Sequence, residues 1–153
     1  MASSTNKGTT ASSTTGSVQE AGPTRLQVRE GEEPWTDEEL AEVRQTLEDE
    51  VVRLRAEVEE TEQELADLMR DYGDGAGDDQ ADAGSATLER EQELALANNS
   101  RELLVQVSHA LDRIEQGTYG LCESCGEPIG KMRLQAFPRA TLCMTCKQKQ
   151  ERR

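Results

Sequence analysis

Leu40, Leu47, Leu54, Thr61 and Leu68 recur at intervals of seven residues, and Val51, Val58, Leu65 and Tyr72 follow the later members at a distance of four. An α-helix turns once per about 3.6 residues, so two apolar positions in every seven keep one narrow stripe on one face. The pattern predicts a coiled-coil arm of nearly five heptads, interrupted at Arg44 and Thr61. Its start is written in "PWTDEEL": Thr36 and Glu39 have the spacing of a capping box, and Trp35 stands where a hydrophobic staple would touch Leu40. The helix is expected from about Asp37 to about Tyr72, where Gly73, Gly75 and Gly77 remove helix propensity. A second helix is expected from about Ala86, with Leu94, Leu103, Leu104, Val107, Leu111 and Ile114 as its apolar face and Gly117 as its stop.

Arms of about 36 and about 31 residues at 1.5 Å each would be roughly 45 to 55 Å long. Between them lies "DYGDGAGDDQADAGS", five aspartates among four glycines with no basic residue. The simplest arrangement is an antiparallel hairpin whose seams bury one another, with this acidic stretch, at about 73–85, as its tip. A helix packed on a globular core is the rival, and little core remains for it to pack on. The same heptads could also pair between chains, so the pattern leaves the oligomeric state open.

Composition supports extended helices over a large core: of 153 residues only 34% are hydrophobic and 3% aromatic, and the net charge is −14. Residues 1–33 read as a Ser/Thr-rich, disordered N-terminal tail, in whose last part Leu26 and Val28 could pack loosely on something else. Residues 34–117 form the hairpin and 118–153 a small C-terminal domain. The hairpin carries 24 acidic and 7 basic residues, and the C-terminal piece 3 acidic and 7 basic. No apolar run exceeds the four residues Leu94 to Ala97, which provides neither a membrane span nor a signal-peptide core. The expectation is a soluble, cytoplasmic protein.

In a reducing compartment the four cysteines favour metal over disulfides. Cys122 and Cys125, then Cys143 and Cys146, form two CxxC pairs separated by 17 residues. That spacing suits a tetrahedral four-thiolate zinc site, with Gly126 providing the tight turn after the first pair. Four protein thiolates leave no coordination position for water, so one structural zinc is expected, and hydrolytic chemistry is not. A redox dithiol is the alternative, although no thioredoxin-like βαβ pattern surrounds either pair. A domain this short, with few large apolar side chains, needs the metal to fold. A short helix should close the chain. The fold expected is therefore mainly α: a long antiparallel coiled-coil hairpin, a small four-cysteine zinc finger and a short C-terminal helix.

"GTYGLCESCGEPIGKMRLQAFPRATLCMTCK" resembles the zinc-finger signature of the DksA/TraR family of bacterial RNA polymerase regulators through Cys122, Cys125, Ile129, Arg133, Pro138, Cys143 and Cys146. The resemblance covers about residues 36–150. It implies a non-enzymatic transcription regulator that binds RNA polymerase, carries tip aspartates through the secondary channel towards the catalytic Mg²⁺ region, and does not bind DNA. Asp79 and Asp82 match the two acids of the family's D-x-x-D-x-A tip, and Gly84 replaces its alanine. Gly84 should loosen the start of the second helix. For guanosine tetraphosphate, the family's basic positions fall on Gln106 and Phe137, with only Lys147 basic, so the resemblance implies an incomplete alarmone contact.

Two other functions fit parts of the chain. One is a zinc-ribbon coiled-coil adaptor or scaffold with another protein partner. The other is a nucleic-acid-binding zinc protein using Lys147, Lys149, Arg152 and Arg153, which the negative rod disfavours. His109 reads as an ordinary surface or seam residue.

Overall fold

The computed structural model describes residues 26–74 and 80–153, side chains at 72–82 excepted. Residues 1–25 of the expected tail, Asp79, and the side chain of Asp82 lie outside this description. Four helices follow in order: α1 (Asp37–Asp74), α2 (Gln80–Gln116), α3 (Lys131–Ala136) and α4 (Met144–Glu151). Among the described residues there is no strand, only an isolated antiparallel bridge between Leu121 and Pro128. The molecule is a helical hairpin, α1 against α2, with the four-cysteine domain at its base.

The capping box closes as the sequence indicates. Thr36 Oγ1 accepts the Glu39 amide at 3.1 Å, and Glu39 Oε2 accepts the Thr36 amide at 3.0 Å, satisfying two otherwise unpaired donors. The Trp35 ring meets Tyr119 edge to face, with centroids 6.3 Å apart. Trp35 thus packs the start of the rod onto the C-terminal domain as well as lying beside the core that Leu40 joins.

Between the arms, the buried core runs through Val43, Leu47, Val51 and Leu54 on α1 and Val107, Ala110 and Ile114 on α2. Val43 fills the place next to the interruption at Arg44. The Arg44 guanidinium sits at the flank and reaches Glu115 on the other arm at 3.8 Å. On α2 the buried stripe continues outward through Ala97 and Ser100, while Leu94 is 39% exposed. Leu94 was expected on the apolar face. The residues at 97, 100, 104, 107, 111 and 114 alternate in steps of three and four, and Leu94 falls outside that rhythm.

The hairpin end also differs from expectation. α2 begins at Gln80, six positions before Ala86, and contains Gly84. Alanines at 81, 83 and 86 supply the helix propensity that one glycine, costing about 1 kcal/mol, does not cancel. At the other end, Gly117 adopts φ 74°. The Thr118 amide then returns to the Arg113 carbonyl at 2.9 Å and the Gly117 amide to that of Ile114 at 3.2 Å, a Schellman stop.

Within the segment expected as tail, Leu26 packs, as the sequence allows. Leu26 is 7% exposed and belongs to the same core as Tyr119, Ile129 and Leu134. Residues 26–34 form a strap along the C-terminal domain, because a short polar segment with one well-placed leucine gains burial there and Glu32 finds the part-buried Lys131 amide as a partner.

Candidate metal centre and acidic tip

Each cysteine pair is shaped by its local backbone. Gly120 (φ 86°) and Gly126 (φ 74°) take the left-handed conformation that bends the chain around Cys122 and Cys125. The Gly126 amide donates to the Cys122 carbonyl at 2.8 Å and the Cys122 amide to the Glu127 carbonyl at 2.9 Å, closing the first knuckle. Cys143 stands in extended backbone as the residue before α4, and Cys146 lies in the first turn of that helix. The Glu123 amide donates to the Thr141 carbonyl at 2.9 Å and ties the two knuckles together.

As a result the four sulfurs lie within 4.8 Å of one another. Zn–S bonds of about 2.3 Å in a tetrahedron require sulfurs roughly 3.8 Å apart; Cys125 Sγ and Cys143 Sγ are separated by 3.8 Å. Both the donor set and the spacing fit zinc. Burial pushes the Cys122 thiol up, but amides at Cys143, Cys125 and Ser124 outweigh it and bring the thiol down to about 6. At Cys125 the Glu127 amide lowers the thiol, yet the Cys122 sulfur, burial and the other two sulfurs raise it to about 12. Four thiolates so close together require a cation to hold them.

The domain is braced to the rod by charged contacts that sequence reading did not identify. Lys131 Nζ meets Glu39 at 2.5 Å and lies 5.3 Å from the centre of the Trp35 ring. Arg139 reaches Glu50 on α1 at 3.1 Å. His109, exposed as expected, also touches Glu123 at 2.5 Å. The buried Arg113 guanidinium donates to the carbonyls of Thr118, at 2.8 Å, and Leu121. Tyr119 is 1% exposed and donates to the Pro138 carbonyl at 2.8 Å; burial pushes its phenol above the ordinary range, Arg113 opposing. None of these partners is local in sequence apart from the Arg113 turn, so no periodicity could announce them.

At the opposite end of the rod, Gly84 is on an exposed turn of α2, with open space around the position a Cβ would take. Backbone at Asp82 belongs to α2, while Asp79 lies outside the described residues. Gln106, Phe137 and Lys147, the three positions aligned with the alarmone contact, line one groove between α2, the finger and α4. The nearby cations are engaged: Arg139 with Glu50, Arg133 with the Leu142 carbonyl at 3.3 Å, and Lys147 with Glu151 at 3.5 Å.

Residues 117–152 match the prokaryotic dksA/traR C4-type zinc finger. The RNA polymerase-binding transcription factor DksA of Escherichia coli is 36% identical over 129 residues, 83% of this chain and 81% of that protein. The protein of the same description from Caulobacter vibrioides is 43% identical over 75 residues, so there the match spans about half of each chain, 49% and 53%. Among solved structures, transcription factor DksA2 from Pseudomonas aeruginosa superposes with a TM-score of 0.62 at 35% identity, covering 76% of this chain and 85% of that one. The zinc-finger match and the converging thiols together assign one structural zinc to the four cysteines.

Proposed function

Because this chain belongs to the DksA/TraR family, we propose that it is a non-enzymatic transcription regulator that binds RNA polymerase and inserts its acidic tip into the secondary channel to modulate initiation. The observation that carries this reading is the extent of the likeness to a protein described as RNA polymerase-binding: it spans 83% of the chain, rod and finger together. A chain matched only in the finger would support no more than a zinc-ribbon adaptor.

The physical logic follows from the shape. Helices of 38 and 37 residues make a rod about 55 Å long at 1.5 Å per residue, thin enough to enter a channel. The base supplies broad surface for affinity, and the tip brings carboxylates of Asp79 and Asp82 close to a metal ion and incoming phosphates. In a confined, poorly screened space those charges act strongly. Gly84 bears on how firmly the first turns of α2, which begins at Gln80, are held. The zinc organises the finger and takes no part in chemistry.

Guanosine tetraphosphate is not expected to be an obligatory partner. A neutral Gln106 and an aromatic Phe137 face the groove, and its remaining cations already have partners. A chain with net charge −14 is unsuited to phosphate-backbone binding, so DNA is not a direct ligand. No helix among the described residues is long and apolar enough to cross a membrane. Action on RNA polymerase would place the protein in the cytoplasm.

The test is direct binding of the full-length zinc-loaded protein to purified RNA polymerase, with competition by a protein known to occupy the secondary channel. Saturable, competitive binding is expected. Absence of binding, or binding that the competitor leaves untouched, would favour the adaptor reading.

A further inference from the structure

We propose that the strap, residues 26–34, is a zinc-retention element, and that Glu32 is the residue that positions it. Its two ends are held by different forces. Leu26 is buried at 7% exposure beside Tyr119, Ile129 and Leu134. Glu32 spans 99 residues of sequence to accept the Lys131 amide with both carboxylate oxygens at 3.2 Å, at the opening of α3. The same carboxylate accepts the Arg29 amide at 3.3 Å, and the Glu32 amide returns to the Arg29 carbonyl at 3.0 Å, so the strap is tied to itself as well as to the finger. Lys131 closes the arrangement by donating Nζ to the Pro34 carbonyl at 3.3 Å.

The location gives these contacts their consequence. The strap forms one wall of a groove whose other wall includes Cys125, Cys143 and Cys146. A competing ligand that removes zinc must approach the sulfurs, and Cys125 is exposed while Cys122 is 2% exposed. The strap also lies against the segment that carries the first knuckle: a Cβ at Gly120 would come within 3.8 Å of the Gln27 carbonyl, and Gly120 accepts the Ile129 amide at 2.7 Å. Holding the strap down therefore restricts the approach to the metal and the backbone movement by which the knuckle would open. Groups hydrogen-bonded to the ligands of a metal site commonly change affinity by about 10- to 100-fold when lost, and the strap acts one step further out, through the knuckle backbone, so the lower end of that range sets the scale.

The experiment uses reduced, zinc-loaded, full-length protein mixed with excess 4-(2-pyridylazo)resorcinol, with zinc transfer followed by absorbance. Glu32→Ala should accelerate release by about tenfold. Glu32→Gln, which keeps an acceptor for the Lys131 amide, should fall between it and the parent. Glu38→Ala, on an exposed turn of α1, should release at the parental rate. Leu26→Asp detaches the other end of the strap by burying an unpaired charge and should accelerate release independently. Hydrogen exchange at the Arg29 and Glu32 amides and the near-ultraviolet signal of Tyr119 report strap and finger separately. Faster release with the finger signal retained supports the proposal; parental rates in both Glu32→Ala and Leu26→Asp overturn it.

Discussion

Leu47 and Leu54 present no surface to solvent, so truncating either leaves a hole that the two helices cannot close. Leu47→Ala should cost about 2–5 kcal/mol in urea unfolding, whereas the same change at Leu88, 56% exposed, should cost far less. The Glu39 carboxyl gives a second prediction. The Lys131 ammonium, then the Thr36 amide, hold it below its ordinary value of 4.5. A carboxylate depressed in the folded state contributes stability that is full above its unfolded value and is lost as pH falls through the folded one. Lys131→Met should return the Glu39 titration, followed by carboxyl NMR, towards 4.5; an unmoved titration would mean that the capping amide alone sets it. At this scale the cysteines, Thr36, Glu39, Gly117 and Gly126 were legible, because cap and knuckle chemistry is local. Glu32 with Lys131 and Arg139 with Glu50 were not, since nothing in a linear pattern marks partners 99 and 89 residues apart.

The two long helices were legible from their periodicity, yet the unevenness of their seam was not. From Leu54 towards the base, side chains such as Val51 and Val107 fill the interface. Outward from there the contacts become small or polar: Ala97 is buried, Ser100 Oγ donates to Glu57 at 2.6 Å, and Arg101 pairs with Glu62 at 2.7 Å. Glu93 Oε2 is buried with no hydrogen-bond partner among the described residues. A buried, unpaired polar oxygen costs about 1–3 kcal/mol, so Glu93→Leu should raise stability by roughly that amount in thermal or urea unfolding. A loss of stability would place Glu93 in a favourable contact instead. The alanine and serine in this stripe explain why an apolar count chose Leu94: small residues carry the seam where the arms approach, and hydrophobicity alone does not flag them. Gly84→Ala, in open space within α2, should add up to about 1 kcal/mol of helix stability.

On the scale of the molecule, a self-paired hairpin and a four-cysteine finger are coupled at the base of the rod. Spin labels at Arg53 and Glu102, midway along the arms, should report a separation of the order of one interhelical spacing, roughly 10 Å plus linkers, unchanged by excess unlabelled chain. Stripping zinc should unfold the finger and leave most helical signal, because α1 and α2 hold 38 and 37 residues against 6 and 8 in α3 and α4. The division of the chain by charge was visible in the sequence, with the rod strongly negative and the finger mildly positive. Leu26 was legible as a packing residue, but its place beside Tyr119, Ile129 and Leu134 was not, because one leucine in a polar segment carries no pattern that names its pocket. In the proposed mechanism the base binds while the tip acts. The most direct measurement is transcription in vitro by purified RNA polymerase, with affinity determined on the same samples, for the parent and the Asp79→Asn, Asp82→Asn variant. Asn keeps the size of each side chain and removes its charge. The variant should bind as the parent does and lose the effect on initiation; full regulation by the variant would contradict the account.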